Sequence, residues 1–284
     1  MKYKIFGAIF ILSAIGLALV GAKLLSDRET RREQLANMKA SQVSWRAVEG
    51  WTVSDIASDL DKRGLVTEKD FNAELKVVLT DYDFLGELKD LKSKPSSLEG
   101  YLFPDTYFIA SKPTASSVVK KMMDNLEGKM TTQMRVDIAK QDRSIYEVLT
   151  LASIIEKEVG RNTSKVSSED LQALQEERET VAGIFMNRLR INMALQSDAT
   201  IGYITKKNNP QTSSADLLID SPYNTYKYRG LPPGPISNPS LSAIKAAIYY
   251  KKTDYLYFLT MKDGTAVYAK TLDEHNINKR KYLK

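Results

Sequence analysis

A run of 17 uncharged, mostly apolar residues near the N-terminus constrains this chain more than any other feature of its sequence. The run, Phe6–Ala22, follows two lysines, and its apolar flanks bring it close to the ~20 residues that a helix needs to cross a bilayer. We therefore expect a transmembrane anchor over residues 1–25, followed by a polar helical stalk over 26–42. The alternative is a cleaved signal peptide, for which Val20-Gly21-Ala22 is a poor cleavage site.

The composition excludes several kinds of catalytic site. The 284 residues include no cysteine and one histidine, His275, so disulfides, thiol nucleophiles, cysteine-bound metals and multi-histidine metal sites are impossible. A serine triad would have to use His275. The net charge of +6 favours polyanions or anionic membrane surfaces, but the basic residues are scattered and no nucleic-acid-binding motif accompanies them. Nothing in the sequence requires a metal or a cofactor.

The remainder of the chain is predicted to be α+β. A small module over residues 43–95 has a short strand and turn at 48–53, a helix capped by Ser54 and a second helix from Glu68 to Leu79. Residues 92–97 (KSKPSS) are predicted to form a linker across the boundary between this module and the larger domain. The larger domain, 96–284, is mainly helical with a small β portion. Its predicted helices are 115–126, 144–160 and 171–189, and its predicted hairpin joins 255–259 to 266–269 around Asp263-Gly264.

The helix at 144–160 places a carboxylate on its apolar face. Its stripe of apolar residues has spacings of three and four, and Glu156 falls within that stripe, whereas Glu147 and Glu158 fall on the opposite, solvent-facing side. An inward carboxyl group should be desolvated, which raises its pKa and suits it to protonating a glycosidic oxygen. The alternative is that Glu156 pairs with a buried base such as Arg188 or Arg190.

Polar loops rich in glycine and proline form a second region that contains many candidate functional residues. Phenols and amides in such loops suit sugar hydroxyls and N-acetyl groups, and the proline turns would restrict loop motion. The alternative is an elaborate surface loop with a structural Pro-Pro turn. The candidate substrate-binding residues are Gln196, Asp198, Tyr223, Asn224 and Tyr226.

Several long segments, in order, resemble the endolytic murein transglycosylases of the YceG-like (MltG) family. They cover the chain from about Val48 to its C-terminus, where residues 273–276 resemble the family's closing segment and make His275 structural. The segments are Leu98–Tyr107 (LEGYLFPDTY), Leu151–Glu158 (LASIIEKE), Gly183–Leu189 (GIFMNRL), Leu195–Thr200 (LQSDAT), Tyr223–Tyr226 (YNTY) and Gly230–Gly234 (GLPPG).

The resemblance implies an anchor, a LysM-like subdomain, which the module at 43–95 matches, and a C-terminal catalytic domain. It assigns catalysis to the first glutamate of the Glu-Lys-Glu segment, Glu156, the same residue that helical phase selects. The implied reaction cleaves the MurNAc-GlcNAc β-1,4 bond of nascent strands, leaves a 1,6-anhydroMurNAc end and terminates strand elongation. Glu99, Tyr101 and Asp105 are expected to line the cleft or hold the domain junction.

The implied substrate also sets the expected location and partners. The charges that flank the apolar run do not favour either orientation. Because murein lies outside the cytoplasm, we expect a single-pass protein of the cell membrane with an extracytoplasmic catalytic domain, beside peptidoglycan synthases. Two other functions remain open. One is a non-catalytic peptidoglycan-binding protein, and the other is a lysozyme-type hydrolase that uses Asp198 or Glu99 as a second carboxylate.

Overall fold

A computed structural model describes residues 23–26, 28–29, 31, 41–75, 98–159, 167–206, 212–261 and 264–283. The chain divides into two compact units. The first comprises residues 1–45 with 108–111, and the second comprises residues 46–107 with 112–284. The described elements are mostly helical with two small sheets, which confirms the predicted α+β class.

Two short strands, β1 (Gln42–Arg46) and β2 (Thr106–Ala110), pair to form the first sheet. The sequence placed a strand at 48–53, which is wrong, because the chain has already entered a turn there and Gly50 adopts φ +75°. The strand lies a few residues earlier, across the boundary predicted between the stalk and the small module. Its partner strand starts past the subdomain boundary predicted at residue 95, in a part of the chain where no strand was expected.

Two helices follow the turn, α1 (Val53–Lys62) and α2 (Glu68–Glu74). The side chain of Thr52, not that of Ser54, caps α1, and it does so reciprocally with Asp55. The predicted apolar face of α1 is buried. Residues 76–97, which include the end of the predicted second helix and the linker, lie outside the described residues.

The longest of the described helices follow in the second unit. The three predicted ones are confirmed as α3 (Ala115–Lys129), α5 (Ile145–Glu158) and α6 (Ser168–Arg190). Four further helices were not anticipated: α4 (Thr132–Ala139), α7 (Asp198–Thr205), α8 (Leu241–Ile248) and α9 (Leu272–Tyr282), with a 3-10 turn at Asp216–Leu218. Helix α8 packs against both α5 and α6, and these three form the core that holds the candidate site.

The predicted hairpin is confirmed as β3 (Tyr257–Thr260) paired antiparallel with β4 (Ala266–Ala269). Helix α9 packs against it and places His275 on the Tyr257 ring, with the ring centroids 5.3 Å apart. His275 is 9% exposed and thus contributes to the packing of this end of the chain.

Among the described residues, no helix combines the length and the apolar character that a membrane span requires. The apolar run at 6–22 is not part of that set, so the predicted anchor at 1–25 and most of the predicted stalk at 26–42 remain predictions.

Candidate active site

A cleft of about 1270 Å³ opens beside the C-terminal end of α5. Its walls come from the start of α1, from Glu99, from the end of α5, from α7 and from the loops that follow α7. Its carboxylate-bearing residues are Asp55, Glu99, Glu158, Asp198 and Asp216, and its lysines are Lys157 and Lys206.

Glu158 is the carboxylate that the end of α5 contributes to this cleft. The Ser197 hydroxyl donates a short hydrogen bond to Glu158 Oε1, and the Ala199 N–H also stabilises the charged form. Burial nevertheless raises the pKa of Glu158, and the charge of Asp198 raises it further. The prediction that Glu158 faces solvent is wrong, since the first turn of α7 covers this part of the helix.

Glu156 lies on another side of α5 and does not line the cleft. Arg178 Nη2 donates to Glu156 Oε1 at 2.9 Å, and the Ser240 N–H donates to Oε2 at 2.9 Å. The Ser240 hydroxyl donates to Oε2 as well. The inward orientation predicted for Glu156 is confirmed, because the side chain is only 4% exposed. An ion pair is present, but its partner is Arg178 and not Arg188 or Arg190.

Gly50 adjoins the Glu156 side chain. A Cβ atom at Gly50 would lie 3.4 Å from Glu156 Cγ, and the φ of +75° is strained for any other residue. Lys157 Nζ donates to the Gly50 carbonyl at 3.4 Å. The turn before α1 therefore packs directly onto the last turns of α5.

Glu99 is the second buried carboxyl group of the cleft, at 7% exposure. The Val53 N–H donates to Oε1 at 3.0 Å, and Asn238 Nδ2 donates to the same oxygen at 3.2 Å. Burial raises the pKa of Glu99 to about 8. Asn238 also accepts from the Leu102 N–H at 2.9 Å and so joins the segment after Glu99 to the loop before α8.

The predicted substrate-binding residues are only partly brought together. Glu99, Asp198 and Tyr223 line the cleft. Tyr226 is not among the lining residues, but its hydroxyl donates to Asp198 Oδ1 at 2.7 Å.

Three other predicted binding residues do not line the cleft: Gln196, Asn224 and Tyr101. Gln196 is exposed with φ +50°. Asn224 is fully buried, and its amide donates to the carbonyls of Leu217 and Ile219. Tyr101 is also fully buried. Asp105, the third residue expected at the cleft or junction, accepts from Asn125 Nδ2 at 3.0 Å and is not among the lining residues either.

An aromatic wall faces the cleft from α7 and the loop that contains Tyr223. The rings of Tyr203 and Tyr223 lie 5.1 Å apart and are tilted by 44°. Gly234 lets the Pro-Pro-Gly turn approach Tyr146 and Tyr223, since a Cβ atom there would lie 2.5 Å from the Tyr146 hydroxyl oxygen and 3.3 Å from that of Tyr223. The Tyr146 hydroxyl donates to the Pro233 carbonyl and fixes the turn.

Sequence reasoning missed four residues of this site. Glu158 was predicted to face solvent, and Ser197 lies in a segment that resembles the family but was given no role. Arg178 is 22 positions from Glu156, and Tyr203 lies on a helix that was not anticipated. Within the described ranges, no group of three or more histidine or carboxylate side chains is arranged to hold a metal ion.

The model of the YceG-like family matches residues 20–281 of this chain. An endolytic murein transglycosylase of Bacillus subtilis (strain 168) is 41% identical over 186 residues, which are 66% of this chain and 48% of that protein. One from Streptococcus pneumoniae serotype 2 (strain D39 / NCTC 7466) is 34% identical over 253 residues, covering 81% of this chain and 43% of the relative. The chain thus spans a little under half the length of these relatives.

A crystal structure shows a similar fold. The 2.6 Å structure of a yceG-like protein from Listeria monocytogenes superimposes with a TM-score of 0.67 at 34% identity, and the match covers 83% of this chain and 75% of that one.

Proposed function

Because this chain belongs to the YceG-like family, we propose that it is an endolytic murein transglycosylase whose catalytic acid/base is Glu158. The observation that carries the residue assignment is the position of Glu158 on the wall of the cleft, against Ser197. Glu156, which the sequence selected, stays the alternative. Its oxygens accept from Arg178 and Ser240, and its side chain does not line the cleft.

In the proposed reaction, Glu158 first donates its proton to the glycosidic oxygen between MurNAc and GlcNAc as the bond from that oxygen to MurNAc C1 breaks. The resulting carboxylate then accepts the proton of the C6 hydroxyl of the same MurNAc. The C6 oxygen bonds to C1, which closes the 1,6-anhydro ring. One carboxyl group serves both steps because no water enters the reaction, and the raised pKa of Glu158 favours the protonated form that the first step needs.

The other groups of the cleft have supporting roles in this proposal. Ser197 orients the Glu158 carboxyl group, and the rings of Tyr203 and Tyr223 offer an apolar surface to a pyranose ring. Glu99, with a pKa of about 8, is largely protonated at neutral pH and therefore donates a hydrogen bond to substrate instead of acting as an ionised base.

A lysozyme-type hydrolase is the second candidate reaction, because Asp198 lies in the same cleft as Glu158 and is exposed. Such an enzyme would use Asp198 to activate water or to form a glycosyl-enzyme. A membrane-bound protein that binds peptidoglycan without cutting it is the third. The hydrolase would need the same raised-pKa acid together with a second carboxylate, whereas the binding protein would need neither.

The cellular context follows from the proposed substrate. We propose an anchor at 1–25, a LysM-like subdomain at 43–95 and a catalytic domain at 96–284 that acts outside the cytoplasm near the cell membrane. The apolar run supports the anchor, and the order β1, α1, α2 supports the small α+β subdomain. A site close to the membrane would meet nascent strands as peptidoglycan synthases release them, so that cleavage ends their elongation.

Mass spectrometry of products from purified glycan strands tests the proposal. Wild-type protein should release internal fragments that end in 1,6-anhydroMurNAc, and folded Glu158→Gln should release none. Reducing ends in place of anhydro ends would establish the hydrolase. Strands that are bound but remain intact would establish the binding protein. Loss of product with folded Glu156→Gln but not with Glu158→Gln would return the catalytic role to Glu156.

A further inference from the structure

We infer that the buried ion pair between Glu156 and Arg178 positions Glu158, which makes Arg178 a positioning residue for the proposed reaction. The inference rests on the proposed function and on Glu158 as its acid/base. It gives a role to two charged side chains that lie beneath the site and do not line the cleft.

Arg178 joins α5 to α8 from its position on α6. Its Nη2 donates to Glu156 Oε1 at 2.9 Å, and its Nη1 donates to Ser242 Oγ at 2.7 Å. The Ser242 hydroxyl donates onward to Gln175 Oε1, one turn earlier on α6, at 2.5 Å. The two ends of the planar guanidinium group thus hold two helices at once, which the single ammonium group of a lysine could not reproduce.

The other oxygen of Glu156 lies at the first turn of α8. The Ser240 N–H donates to Oε2 at 2.9 Å, while Ser240 Oγ accepts from the Ala243 N–H at 3.2 Å and caps the helix. A carboxylate at this position interacts favourably with the partial positive charge of a helix N-terminus. Three helices therefore meet at one carboxylate.

The position of this junction along α5 connects it to Glu158. Helix α5 ends at Glu158, and Val159 is its C-cap, so the proposed acid/base lies in a terminal turn of the kind that frays. Glu156 lies in the same turn, about 200° around the helix from Glu158. Its contacts hold the turn on one side, and the bond from Ser197 holds it on the other.

The same geometry indicates what loss of the ion pair would change. Glu158 would keep its bond from Ser197, but the backbone that carries it would be free to shift. A displacement of about 1 Å can lower the rate of a chemical step by as much as ~100-fold, because proton transfer needs a narrow range of distance and angle. Substrate binding along the cleft walls would be largely retained.

Two variants of the full chain test the inference. Glu156→Met/Arg178→Met removes both charges together and keeps the volume of the site close to native, so no unpaired charge is left buried. Arg178→Lys keeps the positive charge and loses the two-ended contact. The matched control is Arg143→Lys, because Arg143 Nη1 donates to the Ala247 carbonyl at 2.7 Å and holds the opposite end of α8.

Initial rates of anhydro-end release over a range of strand concentrations, together with thermal melting curves, are the readouts. We expect both test variants to lower kcat by about tenfold or more with KM within about twofold of wild type, measured well below their melting temperatures. Arg143→Lys should lower the melting temperature and leave kcat unchanged.

Wild-type kcat in folded Arg178→Lys or in the folded double variant would overturn the inference, and if the double variant does not fold, Arg178→Lys decides alone. A fall in kcat of the same size in Arg143→Lys would also overturn it, because it would show that any loosening of α8 suffices. Strands left uncut by the wild type would instead overturn the proposed function.

Discussion

Glu156 and Glu158 are two residues apart on one helix, and each lies against the first turn of another helix. Glu156 accepts from Ser240, the N-cap of α8, and Glu158 accepts from Ser197, the N-cap of α7. What distinguishes them is the rest of their surroundings. Arg178 neutralises the charge of Glu156 in the interior, whereas Glu158 borders the cleft, where burial and the charge of Asp198 raise its pKa.

In the proposed assignment, one short segment supplies both a structural anion and a proton donor. Glu156 has a buried cation as its partner, whereas Glu158 is desolvated beside a like charge, which raises the pKa of Glu158. Since about 200° of helix rotation separates them, the two environments do not have to overlap.

Replacing Glu158, the proposed acid/base, should have the largest effect of any substitution at these two glutamates. Glu158→Gln should lower the rate of anhydro-end formation by about 10³-fold, because the amide cannot donate or accept the proton in either step. Its melting temperature should stay close to that of the wild type, since an amide oxygen can still accept from Ser197. The check is single-turnover product formation together with thermal melting, and activity above a tenth of the wild-type rate contradicts the assignment.

Loss of the structural anion should act on stability instead. Glu156→Gln leaves Arg178 buried opposite a neutral amide, and the free energy of unfolding should fall by about 3 to 5 kcal/mol. The double variant Glu156→Met/Arg178→Met should recover most of that loss because no unpaired charge remains. Urea unfolding curves of the three proteins give the comparison. A double variant that is less stable than the single one would show that the ion pair itself supplies the stability.

Glu99 extends the comparison to a buried carboxyl group that accepts from the Val53 N–H and the Asn238 amide. Its pKa of about 8, against an ordinary 4.5, means that the folded state binds the proton more tightly than the unfolded state does. The stability from that proton is present at low pH and is lost as the pH rises from about 4.5 to about 8.

The variant Glu99→Gln has no proton to lose at this position. Its unfolding free energy relative to the wild type should therefore increase with pH by a few kcal/mol, on the order expected from the shift, and level off above about pH 8. Urea unfolding at a series of pH values measures the difference. A difference that stays constant from pH 5 to pH 9 would contradict the raised pKa.

The helix with both glutamates shows how far the sequence alone could go. Spacing of apolar residues correctly placed Glu156 inside, because that pattern is a local property of α5. The same pattern assigned Glu158 to solvent, because apolar spacing divides a helix into one buried face and one solvent-exposed face. Here the segment around Ser197 covers that side, and a contact across 39 positions leaves no trace in local spacing.

Non-local pairing also explains the other errors. Strand β1 was missed because its partner, β2, lies about 60 residues further along the chain. Arg178 was missed as the partner of Glu156 because helix packing, and not sequence proximity, brings them together. The hairpin of β3 and β4 was found because its turn and both strands are adjacent in sequence.

The smallest effect concerns the like charge beside Glu158. Asp198 raises the pKa of Glu158, so Asp198→Asn should lower that pKa. Because the first step needs the protonated acid, the alkaline limb of the kcat profile should move to lower pH. Tyr226→Phe is the matched control, since it removes the 2.7 Å bond to Asp198 but keeps the charge, and its limb should stay near that of the wild type. An alkaline limb that moves in Tyr226→Phe and not in Asp198→Asn would show that the hydrogen bond, and not the charge, distinguishes Glu158 from Glu156.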